Sequence, residues 1–112
     1  MNGKCFITSS EDFARIHKSS RWSGGGLIGI KSCLNGRDVT RFGLIVSKRV
    51  GGAVQRNLVK RRLREIVRQL VVKRGMDILI TARPETAEAG FEPLKKAVVV
   101  SLKRTGLLAD DV

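Results

Sequence analysis

Between Ala53 and Val72 apolar residues return every three or four positions, so the spacing predicts a helix over that range. At roughly 100° per residue, Val59, Leu63, Ile66, Val67 and Leu70 fall on one side and Asn57, Lys60, Arg61, Arg64 and Arg68 on another. The first side suits a core and the second an anionic partner. Gly51-Gly52 supplies a corner before the helix, and Lys73-Arg74-Gly75 reads as its end, with cations in the last turn and a C-cap glycine.

The remaining pattern places shorter elements around this helix. Ser9-Ser10-Glu11-Asp12 reads as a capped helix start, and a helix from about Ser10 to Lys18 would put Phe13, Ile16 and His17 on one face. Leu27 to Cys33 reads as a strand. Asn35-Gly36 is a turn signal that predicts a hairpin, its second strand being Thr40 to Ser47. Met76 to Ala82 has the apolar run of a buried strand, so strand, helix and strand predict a crossover unit with the basic helix packed on a sheet. After Arg83-Pro84, a last helix is expected from Phe91-Glu92-Pro93, with Leu94, Ala97, Val98, Ser101, Leu102 and Thr105 inward and Lys95, Lys96, Lys103 and Arg104 outward. Its Val98-Val99-Val100 run leans toward strand by propensity alone.

A chain of 112 residues, 42% hydrophobic and 29% charged, is expected to form one folded domain over residues 1–112. Charge distribution changes the picture more than composition does. From Lys48 to Arg74 there are ten Lys or Arg and a single acid, Glu65, so this stretch supplies +9 of the net +12. A charge run is ordinarily a solvated face, but one carboxylate cannot pair with so many cations, and they repel unless a polyanion neutralises them. A nucleic-acid partner is therefore expected. No apolar run approaches the roughly 20 residues of a membrane span, and no secretory signal stands at the start, so the expected compartment is the cytoplasm, with no membrane partner. Cys5 and Cys33 lack metal or disulfide-framework spacing and are read as reduced thiols.

Catalytic chemistry has no constellation in this sequence. Ser47 is the hydroxyl nearest the basic turn, with no base close in sequence to activate it, and His17 is the only histidine. Gly24, Gly26 and Gly29 formally satisfy a dinucleotide fingerprint, but they neither follow a strand nor open a helix. Arginines outnumber lysines on the main helix, and guanidinium groups grip phosphate bidentately or stack on bases, which fits structured RNA. The aromatics are Phe6, Phe13, Trp22, Phe42 and Phe91, of which Phe13 is the best candidate to stack on a base.

The run Gly43-Leu44-Ile45-Val46-Ser47-Lys48-Arg49-Val50-Gly51-Gly52-Ala53-Val54-Gln55-Arg56-Asn57-Leu58-Val59-Lys60-Arg61-Arg62-Leu63-Arg64-Glu65 closely resembles the protein subunit of bacterial ribonuclease P. That family has a strand ending in VSKKVG-NAV, then an RNR box and KRRLRE. Glu11-Asp12-Phe13 resembles its first helix, Asp77 to Pro84 its strand after the basic helix, and Phe91 to Leu107 its closing helix.

The resemblance implies an α/β sandwich in the order αβββαβα, with a central mixed sheet and a left-handed crossover around the basic helix. Only three strands are read from the pattern above, so a short fourth is expected near Arg21-Trp22. The resemblance also implies a role in removing the 5′ leader from precursor tRNA, with hydrolysis performed by a catalytic RNA and magnesium bound mainly by that RNA. Lys48, Arg49, Arg56, Asn57, Lys60, Arg61, Arg62, Arg64 and Arg68 would contact the RNA, and the leader would lie near Phe13, His17, Ile30 and Ser47; no protein partner is implied. Leu58 stands where the box has its second arginine, Gly52 replaces the usual asparagine, Ile30 or Gly29 replaces a sheet aromatic, and Lys4 is the lone N-terminal cation. A general basic RNA-binding or ribosome-associated protein is the alternative. A nuclease that cleaves without RNA is a second.

Overall fold

The computed structural model describes residues 5–19, 22–23 and 26–109, the side chains of Cys5 and Ser19 excepted. Lys4, Arg21 and Gly24, named above, lie outside the described residues. In chain order the elements are β1 (Cys5–Phe6), α1 (Ser10–Ser19), β2 (Ile28–Leu34), β3 (Arg41–Ile45), α2 (Ala53–Arg68), β4 (Met76–Ala82), a short 3-10 turn (Pro84–Ala87) and α3 (Phe91–Arg104). The four strands lie in the order β1-β3-β4-β2, with β4 parallel to β3 and antiparallel to β2, and β1 parallel to β3. The expected short strand beside Trp22 is a single bridge, Ser23 to Ile30. The fourth strand of the sheet is instead β1, ahead of α1.

The predicted hairpin does not form, because β4 lies between β2 and β3. Ile78, Leu79 and Ile80 on β4 are all fully buried, so this strand needs cover on both faces and pairing on both edges, which only an interior position supplies. Asn35-Gly36 still turns the chain, with Gly36 at φ 70°, but the turn crosses the start of β4. Asn35 donates from Nδ2 to the carbonyls of Val39 and Met76 and to Asp77 Oδ1, and its backbone N–H reaches the Gly75 carbonyl. Thr40 donates its hydroxyl to the Lys73 carbonyl and accepts from the Met76 N–H, closing the same corner.

Helix α2 ends at Arg68, one turn before the expected Val72. Beyond it Val72 bridges Leu108, Lys73 donates to the Leu107 carbonyl, and Ala109 donates to the Val71 carbonyl. This extended pairing suits the β-branched Val71-Val72 pair better than another helical turn does. Gly75, at φ 77°, is the bend into β4 and not a helix cap. The Val98-Val99-Val100 run is helical, because Val98 lies between Leu94 and Leu102 on the buried face of α3 and that packing outweighs strand propensity. At α1, Ser9 Oγ accepts from the N–H groups of Glu11 and Asp12, as a cap should.

Strand parity divides the sheet into two faces. Ile28 and Ile30, Phe42, and Ile78, Ile80 and Ala82 join Val59, Leu63, Ile66 and Val67 of α2 and Leu94, Val98 and Leu102 of α3 in the main core. On the other face Leu79 packs with Ile7 and Ile16, with Phe13, Cys33 and Ile45 at the margin. Helix α1 covers only part of this second face. Gly43 sets how closely it docks, since a Cβ there would stand 2.6 Å from Leu79 Cδ2 and 2.8 Å from Phe13 Cε1.

Asp77, fully buried on this face, ties the helix to the sheet. It accepts from Arg41 Nε at 2.9 Å and Nη2 at 2.7 Å, from Arg15 Nη2 at 2.6 Å and from Asn35. Arg41 also reaches Asp12 at 3.2 Å, so the second carboxylate on α1 joins the network. Burial by itself would push the Asp77 carboxyl up, but the bonds from Arg41, Asn35 and Arg15 outweigh it and hold the pKa at about 2 instead of 3.8.

Two outcomes are expected. A folded pKa below the unfolded one gives stability that is present above pH 3.8 and lost as pH falls toward about 2. Urea titrations across that window should show a loss on the order of 2 kcal/mol. Asp77→Asn should be less stable at neutral pH by about 3 kcal/mol, since the largely buried Arg41 keeps only its longer contact with Asp12 and Arg15 loses its carboxylate, and should lack this acid-dependent step. Parallel acid curves for the two proteins would contradict the role given to the carboxylate. Gly43→Ala should cost about 1–3 kcal/mol by forcing Phe13 and Leu79 apart, read from the same titrations.

Candidate nucleic-acid interface

The outer side of α2 is a strongly cationic surface. Asn57, Arg61, Arg64 and Arg68 are exposed and Lys60 is half-buried, opposite the core residues Val59, Leu63, Ile66 and Val67. The one ion pair within α2 is Arg68 to Glu65, at 3.9 Å and exposed on both sides, which contributes little. Among the described residues no carboxylate lies within ion-pair distance of Lys60, Arg61 or Arg64. Arg64 leans over the Phe6 ring, 6.0 Å from its centroid, so its stem is steadied by the edge strand while its charge stays outward.

The turn before the helix adds to this surface. The Val50 N–H donates to the Ser47 carbonyl and the Gly51 N–H to the Lys48 carbonyl, and the buried Val50 anchors the turn in the core. Ser47, Lys48 and Arg49 are thereby left exposed. Gly52 caps α2 with backbone alone, and its first turn holds no acid. The positive end of the helix therefore adds to Lys48 and Arg49 and favours an anion.

Two of the expected RNA contacts are placed differently. Arg62 points away from the outer face and donates from Nη1 to the Ala89 carbonyl at 2.9 Å, which makes it a tether between α2 and the loop before α3. A helical position one step beyond Arg61 is rotated by about 100°, enough to leave the basic stripe. Arg56 is half-buried at the first turn, and its Nε is enclosed without a hydrogen-bond partner.

The expected leader residues divide between the two faces of the sheet. Phe13 and His17 lie on α1, with Phe13 half-buried against Gly43 and His17 exposed, and Ser47 is exposed two residues beyond β3. Ile30 belongs with none of them. It is 1% exposed and packed in the main core, since on β2 Ile28 and Ile30 point toward α2 and α3 while Gly29 and Lys31 point to the other side.

The open face instead presents a group that the pattern of the sequence did not single out. The buried Lys31 donates from Nζ to the His17 carbonyl at 2.9 Å and lies 3.3 Å from His17 Nδ1. The same ammonium stands 4.9 Å from the centre of the Trp22 ring, and His17 meets that ring edge-on at 5.5 Å. A usable signal was present in the chain: a lone tryptophan beside a glycine run has no apolar neighbours to bury it.

This arrangement has close counterparts. The sequence matches the family described as Ribonuclease P over residues 1–106. It is 36% identical to the ribonuclease P protein component of Roseiflexus sp. (strain RS-1) over 105 residues, covering 91% of this chain and 86% of that one. The fold superposes on the Staphylococcus aureus RNase P protein with a TM-score of 0.83 and 27% identity, over 93% of this chain and 97% of that one. It superposes on the Thermotoga maritima RNase P protein with a TM-score of 0.80 and 28% identity, over 88% and 94%. With sequence and fold in agreement over nearly the whole length, the chain belongs to the ribonuclease P protein family, the protein component of the ribonucleoprotein that processes the 5′ end of tRNA.

Proposed function

We propose that this chain serves the ribonucleoprotein by positioning and charge neutralisation, with hydrolysis of the phosphodiester carried out by the RNA. The observation that supports this most directly is the outer side of α2, where Arg61 and Arg64 are exposed and Lys60 half-buried, with no acidic partner among the described residues. Sixteen helical residues extend about 24 Å, so several phosphates of a folded RNA are met at once by groups whose spacing the core already holds. Lys48, Arg49 and Asn57 continue that surface across the start of the helix, and Arg68 ends it.

The leader of precursor tRNA, in this reading, crosses the other face of the sheet beside Phe13, His17 and Ser47. Magnesium is held by RNA phosphates, whose hard oxygens suit it. The protein lowers the demand for it by placing guanidinium groups among the same phosphates. The precise geometry of attack then depends on how the two RNAs are held relative to one another.

Reconstitution tests the reading. The protein, a bacterial ribonuclease P RNA and a precursor tRNA are mixed at low magnesium, and leader release is measured with each component omitted in turn. Release should require the RNA and rise with the protein. Equal binding of unrelated structured RNAs with no stimulation would favour a general RNA-binding protein, and cleavage by the protein alone would overturn the reading.

The two sides of α2 should separate cleanly under mutation. Arg61→Glu and Arg64→Glu should each lower the slope of log affinity against log salt by about 1 or more, since each removes a phosphate contact, with the melting temperature no lower because both side chains are exposed and the change relieves repulsion along the helix. Arg62→Ala should do the reverse, costing about 1 kcal/mol of stability for the lost Ala89 bond and leaving the salt slope as it was.

A further inference from the structure

Where α2 and α3 end, the chain turns out of both helices and meets itself. Val72 bridges Leu108, while Lys73 and Ala109 donate to the Leu107 and Val71 carbonyls. Gly106, at φ 76°, makes the turn out of α3, and a Cβ there would meet nothing within 4 Å. Between the two helix ends lies a cleft of about 740 Å³, a size within the range of ligand sites. None of its lining residues belongs to the open face of the sheet or to the basic stripe of α2.

Two chemistries meet in the lining. Leu70, Val71, Leu108 and Ala109 make it apolar, and Lys73 and Lys103 add one cation from each of the two segments. Val72 packs against the main core, and the alternation of an extended chain turns its neighbour Val71 outward, 64% exposed. Lys73, Arg74, Lys103 and Arg104 are all exposed, and among the described residues none of them has a carboxylate within ion-pair distance. A helix C-terminus ordinarily disfavours an anion. Here Thr105 donates its hydroxyl to the Ser101 and Leu102 carbonyls, and the Gly106 N–H donates to the Lys103 carbonyl. Lys103 and Arg104 in the last turn then place two full charges against the roughly half charge of the helix end.

RNA matches this mixture poorly. The lining holds no aromatic ring on which a base could stack and no guanidinium to fork a phosphate, and a sugar-phosphate backbone gains nothing from an apolar floor. An acidic peptide that carries apolar residues among its carboxylates uses both parts. Its apolar side chains enter the floor, and its carboxylates meet two ammonium groups whose flexible stems reach over the rim.

We propose that this cleft docks an acidic segment of a protein partner, with Lys73 and Lys103 on its carboxylates and Val71 against its apolar side chains. The site uses none of the residues assigned to RNA and does not depend on that assignment.

The probe is a short fluorescently labelled peptide of leucine and glutamate, titrated with the full chain at low salt and read by anisotropy. Control peptides with glutamine for every glutamate, or serine for every leucine, should both bind more weakly. Lys73→Glu and Lys103→Glu should each weaken the leucine-glutamate peptide roughly fivefold, and Val71→Ser should weaken it as well, with melting temperatures confirming that each variant folds. Lys18→Glu, the same change in net charge on the exposed side of α1, should leave peptide binding as it was. An equal loss in Lys18→Glu, or equal binding of the serine peptide, would reduce the effect to net charge and overturn the site. Intact peptide binding with weakened binding of ribonuclease P RNA in the two lysine variants would make this surface an RNA contact instead. Tighter peptide binding when Asp110 and Asp111 are both changed to Asn would show the chain's own acids to be the occupant, and would overturn the docking of a partner.

Discussion

The Asp77 carboxylate is the junction on which the second face of this protein depends. Two guanidinium groups and an amide converge on it, one from the neighbouring strand, one from α1 and one from the turn between β2 and β3. Such a group is costly to bury alone and tolerable when its lone pairs are all met. That condition links elements distant in sequence: β4 cannot carry Asp77 inward unless β3 brings Arg41, and α1 gains a directional tie that its small apolar contact with Leu79 would not provide. The main core needs no such device, because α2 and α3 bury a continuous apolar surface against it.

Much of this was legible in the chain because the signals were local. The two faces of α2, the cap at Ser9, the buried run from Met76 to Ala82 and the basic box all concern residues within a turn or two of one another. Strand pairing is a different matter. Asn35-Gly36 carries the hairpin signature, and the turn is there, but whether its flanking strands touch is decided by which strand most needs an interior position. Ile78-Leu79-Ile80 settles that from more than forty residues away. The end of α2 was misjudged for a related reason, since the partner of Val72 is Leu108. Ile30 was a single-step error of parity, and in a strand one residue is enough to move a side chain from one face to the other.

The same parity explains where the one tryptophan lies. Where Gly29 leaves the open face bare, the loop before β2 folds Trp22 over it, and Lys31, two residues along on the same face, supports the ring. The exposed ring is thus held by a loop and two strand positions. Neither part announces it: a glycine in a strand reads as a weakness, and a lysine there reads as exposed.

The concentration of charge on α2 acts on folding as well as on binding. Ten cations with one nearby acid between Lys48 and Arg74 raise the electrostatic free energy of the compact state, because folding brings them closer than the extended chain does. The fold tolerates this by directing Arg61, Arg64 and Arg68 into water, by engaging Arg62 with a backbone carbonyl, and by pinning the helix mainly through its apolar face. What remains is a repulsion that only a polyanion relieves. Binding RNA therefore stabilises the folded chain beyond the contacts it forms, since any ligand taken up by the native state alone shifts the folding equilibrium toward it. The surface that makes the isolated protein less stable is the one a bound polyanion would relieve, and the core under α2 is what allows both to be true of a single helix.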